Sequence, residues 1–148
     1  MEEPERVQPK DSSDYLAVIT KAVFQSGMSW KIIDAKWPSF ISAFSDFDPE
    51  RVAAYSPDDV DRLAQDKAIV RNRRKIEATI ANAARILELE EEHGSFKHYL
   101  GSLAGFDAKW KSLKKEFKFV GAFGAYYFLF VIGEEVPPHE TFREQMLG

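Results

Sequence analysis

The stretch "DPERVAAYSPDDVDRL", Asp48–Leu63, decides the fold class because it spells the same helix start twice. Asp48 and Ser56 each precede a proline, and acids follow in the first turn. Proline suits the first helical position, where its missing amide has no partner to lose, and the acids face the positive end of the helix dipole. Two short helices are expected. Downstream, the longest periodic segment runs from about Arg71 to Glu92, with Ile76, Ile80, Ala83 and Leu87 on its apolar stripe and Gly94 closing it. Ser95 to Leu103 and Asp107 to Phe117 read as two further helices, and Val120 to Ile132 as a buried one. Upstream, Asp11 or Ser12 caps a helix through about Gln25 that carries Leu16, Ile19 and Val23 on one face. Ser29 caps the next, whose Ile33, Trp37, Phe40, Ile41 and Phe44 keep a helical period. Pro38 interrupts it, so a kink or two short helices is expected. No segment alternates convincingly with period two, and there is no β-hairpin signal. The expected fold is all-α, a compact orthogonal helical bundle over residues 11–148, with 1–10 as a flexible N-terminal segment and both ends loose.

Composition narrows the function. At 148 residues, with 45% hydrophobic residues and twelve Phe, the chain is long enough for one substantial core. Its 24 acidic residues against 20 Lys plus Arg give a net charge of -4, so any site for a polyanion must be local. The absence of Cys excludes disulfides, thiolate metal sites and cysteine nucleophiles, and fits a cytoplasmic location. "MEEPERVQPK" has no apolar signal core, and "FVGAFGAYYFLFVIG", Phe119–Gly133, is shorter than the roughly 20 residues a bilayer span needs. No membrane association is expected, and a monomer is the default.

Local charge gathers in "DVDRLAQDKAIVRNRRKIEA", Asp59–Ala78: a short helix, a tight apolar turn and a basic helix start. Lys67, Arg71, Arg73, Arg74 and Lys75 there, with Lys118 from a second cluster (Lys109, Lys111, Lys114, Lys115), are candidate phosphate contacts. A cationic run is more often a solvated face. Here, however, the cations sit at a helix N-terminus, against its dipole, a cost of about 0.3–1 kcal/mol each that an anionic ligand reverses. The turn "QSGMSW", Gln25–Trp30, fits a protein that opens duplex DNA: Gln25, Gly27 and Met28 as a wedge and Trp30 to stack on an extruded base. The plainer alternative is that Met28 and Trp30 are core at a helix start.

Four separated motifs, "FQSGMSW", "FDPERVAAYSPDDVDRLAQD", "IVRNRRKIEATIANA" and "LKKEFKFVGAFGAYYFLFVIG", stand in the order and spacing of the 3-methyladenine DNA glycosylase I family, and the chain resembles that family from about Asp11 to Gly133. The resemblance implies a helical domain of the helix-hairpin-helix glycosylase type, its hairpin at about Val60–Ala78. It also implies excision of alkylated bases from duplex DNA by base flipping and hydrolysis of the N-glycosidic bond. Trp30, Tyr126, Tyr127 and Ala22 are then the base-pocket positions. Ala22 stands where the family carries a carboxylate, and Tyr127 where a smaller polar residue is common. The family's zinc ligands include cysteines, which this chain lacks, so no metal and no cofactor is expected; His139 alone is no ligand set. His93 and His98 do not share a helical face and are read as neither metal-binding nor catalytic.

No catalytic residue is assigned. Trp37 and Tyr15 are further candidates for lining the pocket, and Glu77 and Asp34 are possible replacement carboxylates whose plainer role is surface charge. The expected partner is duplex DNA containing alkylated bases. The competing reading is a non-catalytic module that binds damaged or abasic DNA; a third is a protein partner on the aromatic helix.

Overall fold

The computed structural model describes residues 3–148. It contains nine α-helices and no strand among the described residues: α1 (Ser12–Gln25), α2 (Trp30–Ala43), α3 (Pro49–Ala53), α4 (Pro57–Leu63), α5 (Arg73–His93), α6 (Phe96–Gly101), α7 (Gly105–Glu116), α8 (Ala122–Val131) and α9 (His139–Leu147). Met1 and Glu2 of the expected flexible segment lie outside the described residues.

The starts read from the sequence form as expected at α1, α3 and α4. The Asp11 carboxylate accepts the Ser13 and Asp14 amides, Asp48 accepts the Glu50 amide, and Ser56 and Asp59 close a reciprocal capping box. Ser29 precedes α2 without a side-chain cap. The long helix begins at Arg73, not Arg71, because the Asn72 side chain accepts the Lys75 amide. Its buried stripe is rotated from the expected one. Ile76 and Ala83 are buried with Thr79, Ile86 and Leu89, while Ile80 and Leu87 are half-buried.

Pro38 does not divide α2, which continues as one helix through Ala43. Ile33 before the proline and Phe40 and Phe44 after it are fully buried, and their packing offsets the missing amide bond. The C-terminus, expected loose, folds as α9. Phe142 anchors it, fully buried against Phe106, Trp110 and Tyr126, but one deep aromatic in a polar segment leaves no periodic stripe to read.

The core lies where α5 packs on α1, α3, α4 and α6, and where α8 packs on α1 and α7. On α8 the run Ala125–Leu129 is buried at every residue, so this helix has no solvent face over that span. Arg6 and Val7 lie against it: the Val7 amide donates to the Val131 carbonyl at 2.6 Å, and the Arg6 guanidinium lies 4.4 Å over the Phe130 ring. The turn between α7 and α8 is held to α5 by Asn82. Its side-chain amide donates to the Lys118 carbonyl (3.1 Å), and its carbonyl oxygen accepts the Lys118 amide (2.8 Å).

Candidate nucleic-acid site

The turn after α1 opens a cleft of about 1130 Å³ between α1, α2, α8 and the N-terminal segment. Gly27, at φ 74°, makes the turn in a conformation that a side chain would strain. Trp30 follows as the first residue of α2, 39% exposed, and meets Tyr127 edge-on at 5.3 Å between centroids. Tyr127 is buried, and burial pushes its phenol up to about 12; the nearby Asp34 charge adds to this and Gln25 opposes it. The hydroxyl therefore stays neutral. Trp37 lines the same cleft and stacks on Phe40 and Phe47 of the core.

Several expected site residues lie elsewhere. Tyr126, one position before Tyr127, points about 100° around α8. Its hydroxyl donates to the Pro137 carbonyl at 2.6 Å and its ring stacks on Phe142, so it anchors α9 rather than lining the cleft. Tyr15 packs on Phe96 and Phe128 in the core. Ala22 is buried towards α8, with its Cβ 3.9 Å from where a Cβ on Gly124 would stand, and is absent from the cleft wall. The wall face of α1 is instead Asp14, Ala17, Val18, Lys21 and Gln25, spaced by three or four residues. Gln25 is thus a buried wall residue beside Tyr127, not the tip of a wedge. Met28 is half-buried on the cleft rim, and the exposed tip is Ser26 and Gly27.

The helical hairpin forms from α4, the turn 64–72 and α5. Lys67, Arg71, Arg73 and Arg74 are exposed on it, with no acid in the first turn of α5. Arg73 is shared with Asp61 in an exposed ion pair at 2.7 Å. Arg74 lies 5.5 Å over the Phe119 ring, so the α7–α8 turn that carries exposed Lys118 sits against the hairpin. Lys75 is no phosphate contact. It is only 5% exposed, and its ammonium donates to the carbonyls of Ser26 (2.6 Å) and Phe24 (3.3 Å), while burial holds its pKa below the usual lysine range. It ties the basic helix start to the turn that opens the cleft.

Sequence reasoning missed Lys21, which pairs with Asp34 at 2.8 Å on the cleft wall, and the wall contributed by Glu3, Pro4, Glu5 and Val7. It also missed Asn82; no periodic signal marks a buried amide as a loop anchor. Glu77 is exposed on α5, away from the cleft. His93 packs beside Tyr99, and His139 beside Tyr126 and Phe123. Among the described residues no cluster of His, Cys, Asp and Glu is arranged to hold a metal ion, and no helix is long and apolar enough to cross a membrane.

The profile of the methyladenine glycosylase family matches residues 6–116. The chain is 33% identical to DNA-3-methyladenine glycosylase 1 of Escherichia coli K12, with 86% of this chain and 79% of that protein covered. It is similar to a crystal structure of 3-methyladenine DNA glycosylase I at 34% identity and TM-score 0.75, covering 86% of this chain and 81% of that one. The Staphylococcus aureus enzyme, described in terms of its 3-methyladenine recognition, superposes at TM-score 0.76 and 30% identity, over 86% of this chain and 79% of that one. The all-helical bundle, the hairpin and the aromatic cleft thus coincide with the sequence match, and the chain belongs to the methyladenine glycosylase family.

Proposed function

We propose that the protein is a monofunctional DNA glycosylase that excises alkylated bases of the 3-methyladenine type from duplex DNA. The observation that carries this reading is the Lys75 tie. By bonding the Ser26 carbonyl at 2.6 Å, the first turn of the basic hairpin helix fixes the distance between the phosphate-facing cations and the aromatic cleft. A duplex held by its backbone at Arg71, Arg74 and Lys118 then presents one nucleotide to the Ser26–Gly27 tip and the Met28 rim, with Trp30 ready to stack on the extruded base.

The chemistry suits a site without an assigned acid or base. An adenine methylated at N3 carries a positive charge while bonded to the sugar. Breaking the C1′–N9 bond sends the electron pair into the base and neutralises it, and water adds its oxygen to C1′ and releases a proton to solvent. The leaving group needs no protonation, so extrusion, desolvation and stacking supply the remaining help. Cation–π attraction of about 0.5–2 kcal/mol per aromatic face favours this base over neutral adenine.

The test is release of 3-methyladenine from alkylated duplex DNA by purified protein at stoichiometric concentration. Release above a Trp30→Ala control, with no strand cleavage, is the expected result. Tight binding to an abasic duplex without any release would replace the reading with that of a binding module.

A further inference from the structure

Six charged side chains line the cleft, Glu3, Glu5, Asp14, Lys21, Lys31 and Asp34, and two of them, from facing helices, form an ion pair. Lys21 from α1 and Asp34 from α2 meet at 2.8 Å, both on the wall that Trp30 and Tyr127 complete. Asp34 follows Trp30 by four residues on the same helix, so the carboxylate and the indole stand one turn apart on one face. Lys21 has a second partner: its ammonium lies 5.2 Å from the centroid of the Trp37 ring. A cation is therefore already held in this cleft, between a carboxylate and an aromatic face. The other wall carboxylates are differently placed. Asp14 accepts the Lys10 amide at 2.8 Å, and Glu3 and Glu5 are exposed on the N-terminal segment.

We infer that Asp34 is the anionic recognition residue for a cationic, N-alkylated base, and that Lys21 is its resident counter-ion, displaced when the base enters. This inference rests on the glycosylase reading above. The exchange is physically easy because the Asp34 side chain is 59% exposed and a solvated ion pair contributes little to stability. The incoming ring replaces one cation by another, and it stacks where an ammonium cannot. When the glycosidic bond breaks the base becomes neutral, its attraction to Asp34 lapses, and Lys21 returns to the carboxylate. Selectivity for a charged lesion and release of an uncharged product then follow from the same pair.

The experiment uses Asp34→Asn and Lys21→Met in the full chain, with two readouts. Single-turnover release of 3-methyladenine from alkylated duplex at subsaturating protein is expected to fall about tenfold in Asp34→Asn, equivalent to about 1.4 kcal/mol, and to rise in Lys21→Met, where no ammonium competes for the carboxylate. Tryptophan-fluorescence titration compares 1-methyladenosine, cationic at neutral pH, with neutral adenosine. The wild type and Lys21→Met should prefer the cation and Asp34→Asn should not. A pair that merely bridges α1 and α2 would make both variants slow in parallel, which overturns the inference, as does an Asp34→Asn protein that keeps wild-type release or cation preference. Absence of any base release by the wild type would instead sink the glycosylase reading, and the titration would still decide the charge site.

Discussion

Trp30 stands edge-on to Tyr127, ring centroids 5.3 Å apart and planes at 74°, and this contact joins the first turn of α2 to the middle of α8. The two rings do different work. Tyr127 is buried and acts as a buttress, while Trp30 is 39% exposed and presents a free face to the cleft. Trp30→Ala should therefore leave the fold intact and remove the stacking surface. Base–aromatic stacking is worth about 1–3 kcal/mol, so single-turnover excision should fall by roughly 10- to 100-fold. Thermal melting run in parallel checks the assignment; a variant that unfolds would make Trp30 a core residue instead.

Tyr127 gives a pH-dependent prediction. Its phenol is raised from 10.0 to about 12, first by burial, so between those values the folded protein keeps a proton that the unfolded chain has lost. Its contribution to stability is complete below pH 10.0 and is lost as the pH rises towards about 12. Two units correspond to on the order of 2–3 kcal/mol. Tyr15, Tyr99 and Tyr126 are raised as well, so both proteins lose stability in alkali. Denaturant melts of the wild type and Tyr127→Phe should show a shallower alkaline loss in the variant, and identical slopes would contradict the assignment.

What the sequence made legible was what a short stretch of chain decides by itself. Asp48–Pro49 and Ser56–Pro57 encode their helix starts locally, and both capped helices form as read. Neighbouring elements decide the rest. Tyr126 and Tyr127 are indistinguishable in an all-apolar run, and only the packing of α9 on one side and α2 on the other separates an anchor from a cleft wall. Lys75 reads as one more cation until the end of α1 supplies two carbonyls for it. The Lys21–Asp34 pair joins separate helices and leaves no periodic trace.

The hairpin cations should be read by salt. Arg71 and Arg74 are exposed and outside the Arg73–Asp61 ion pair. Removing one phosphate-binding cation reduces the slope of log K against log salt by about 0.9 on duplex DNA. The Arg71→Ala, Arg74→Ala double variant is expected to bind an abasic duplex more weakly, with a slope smaller by about 1.8, and with unchanged melting temperature. Unchanged slope would remove the hairpin from the phosphate interface.

Lys75 belongs to the same basic run but should behave oppositely. Lys75→Met leaves the Phe24 and Ser26 carbonyls without their ammonium donor, and loss of a buried hydrogen-bond partner costs about 1–3 kcal/mol. Because its ammonium is not on the surface, the salt slope of binding should match the wild type, while excision falls as the turn loses its register on the hairpin. Its titration adds a signature. Burial lowers the Lys75 pKa below 10.5, so in the window beneath that value the unfolded chain binds the extra proton, and this residue makes stability rise with pH. Lys75→Met removes that rise. Denaturant melts across this window, paired with salt titrations of DNA binding, therefore separate a positioning lysine from a phosphate-binding one. A reduced salt slope with unaltered stability would return Lys75 to the DNA interface.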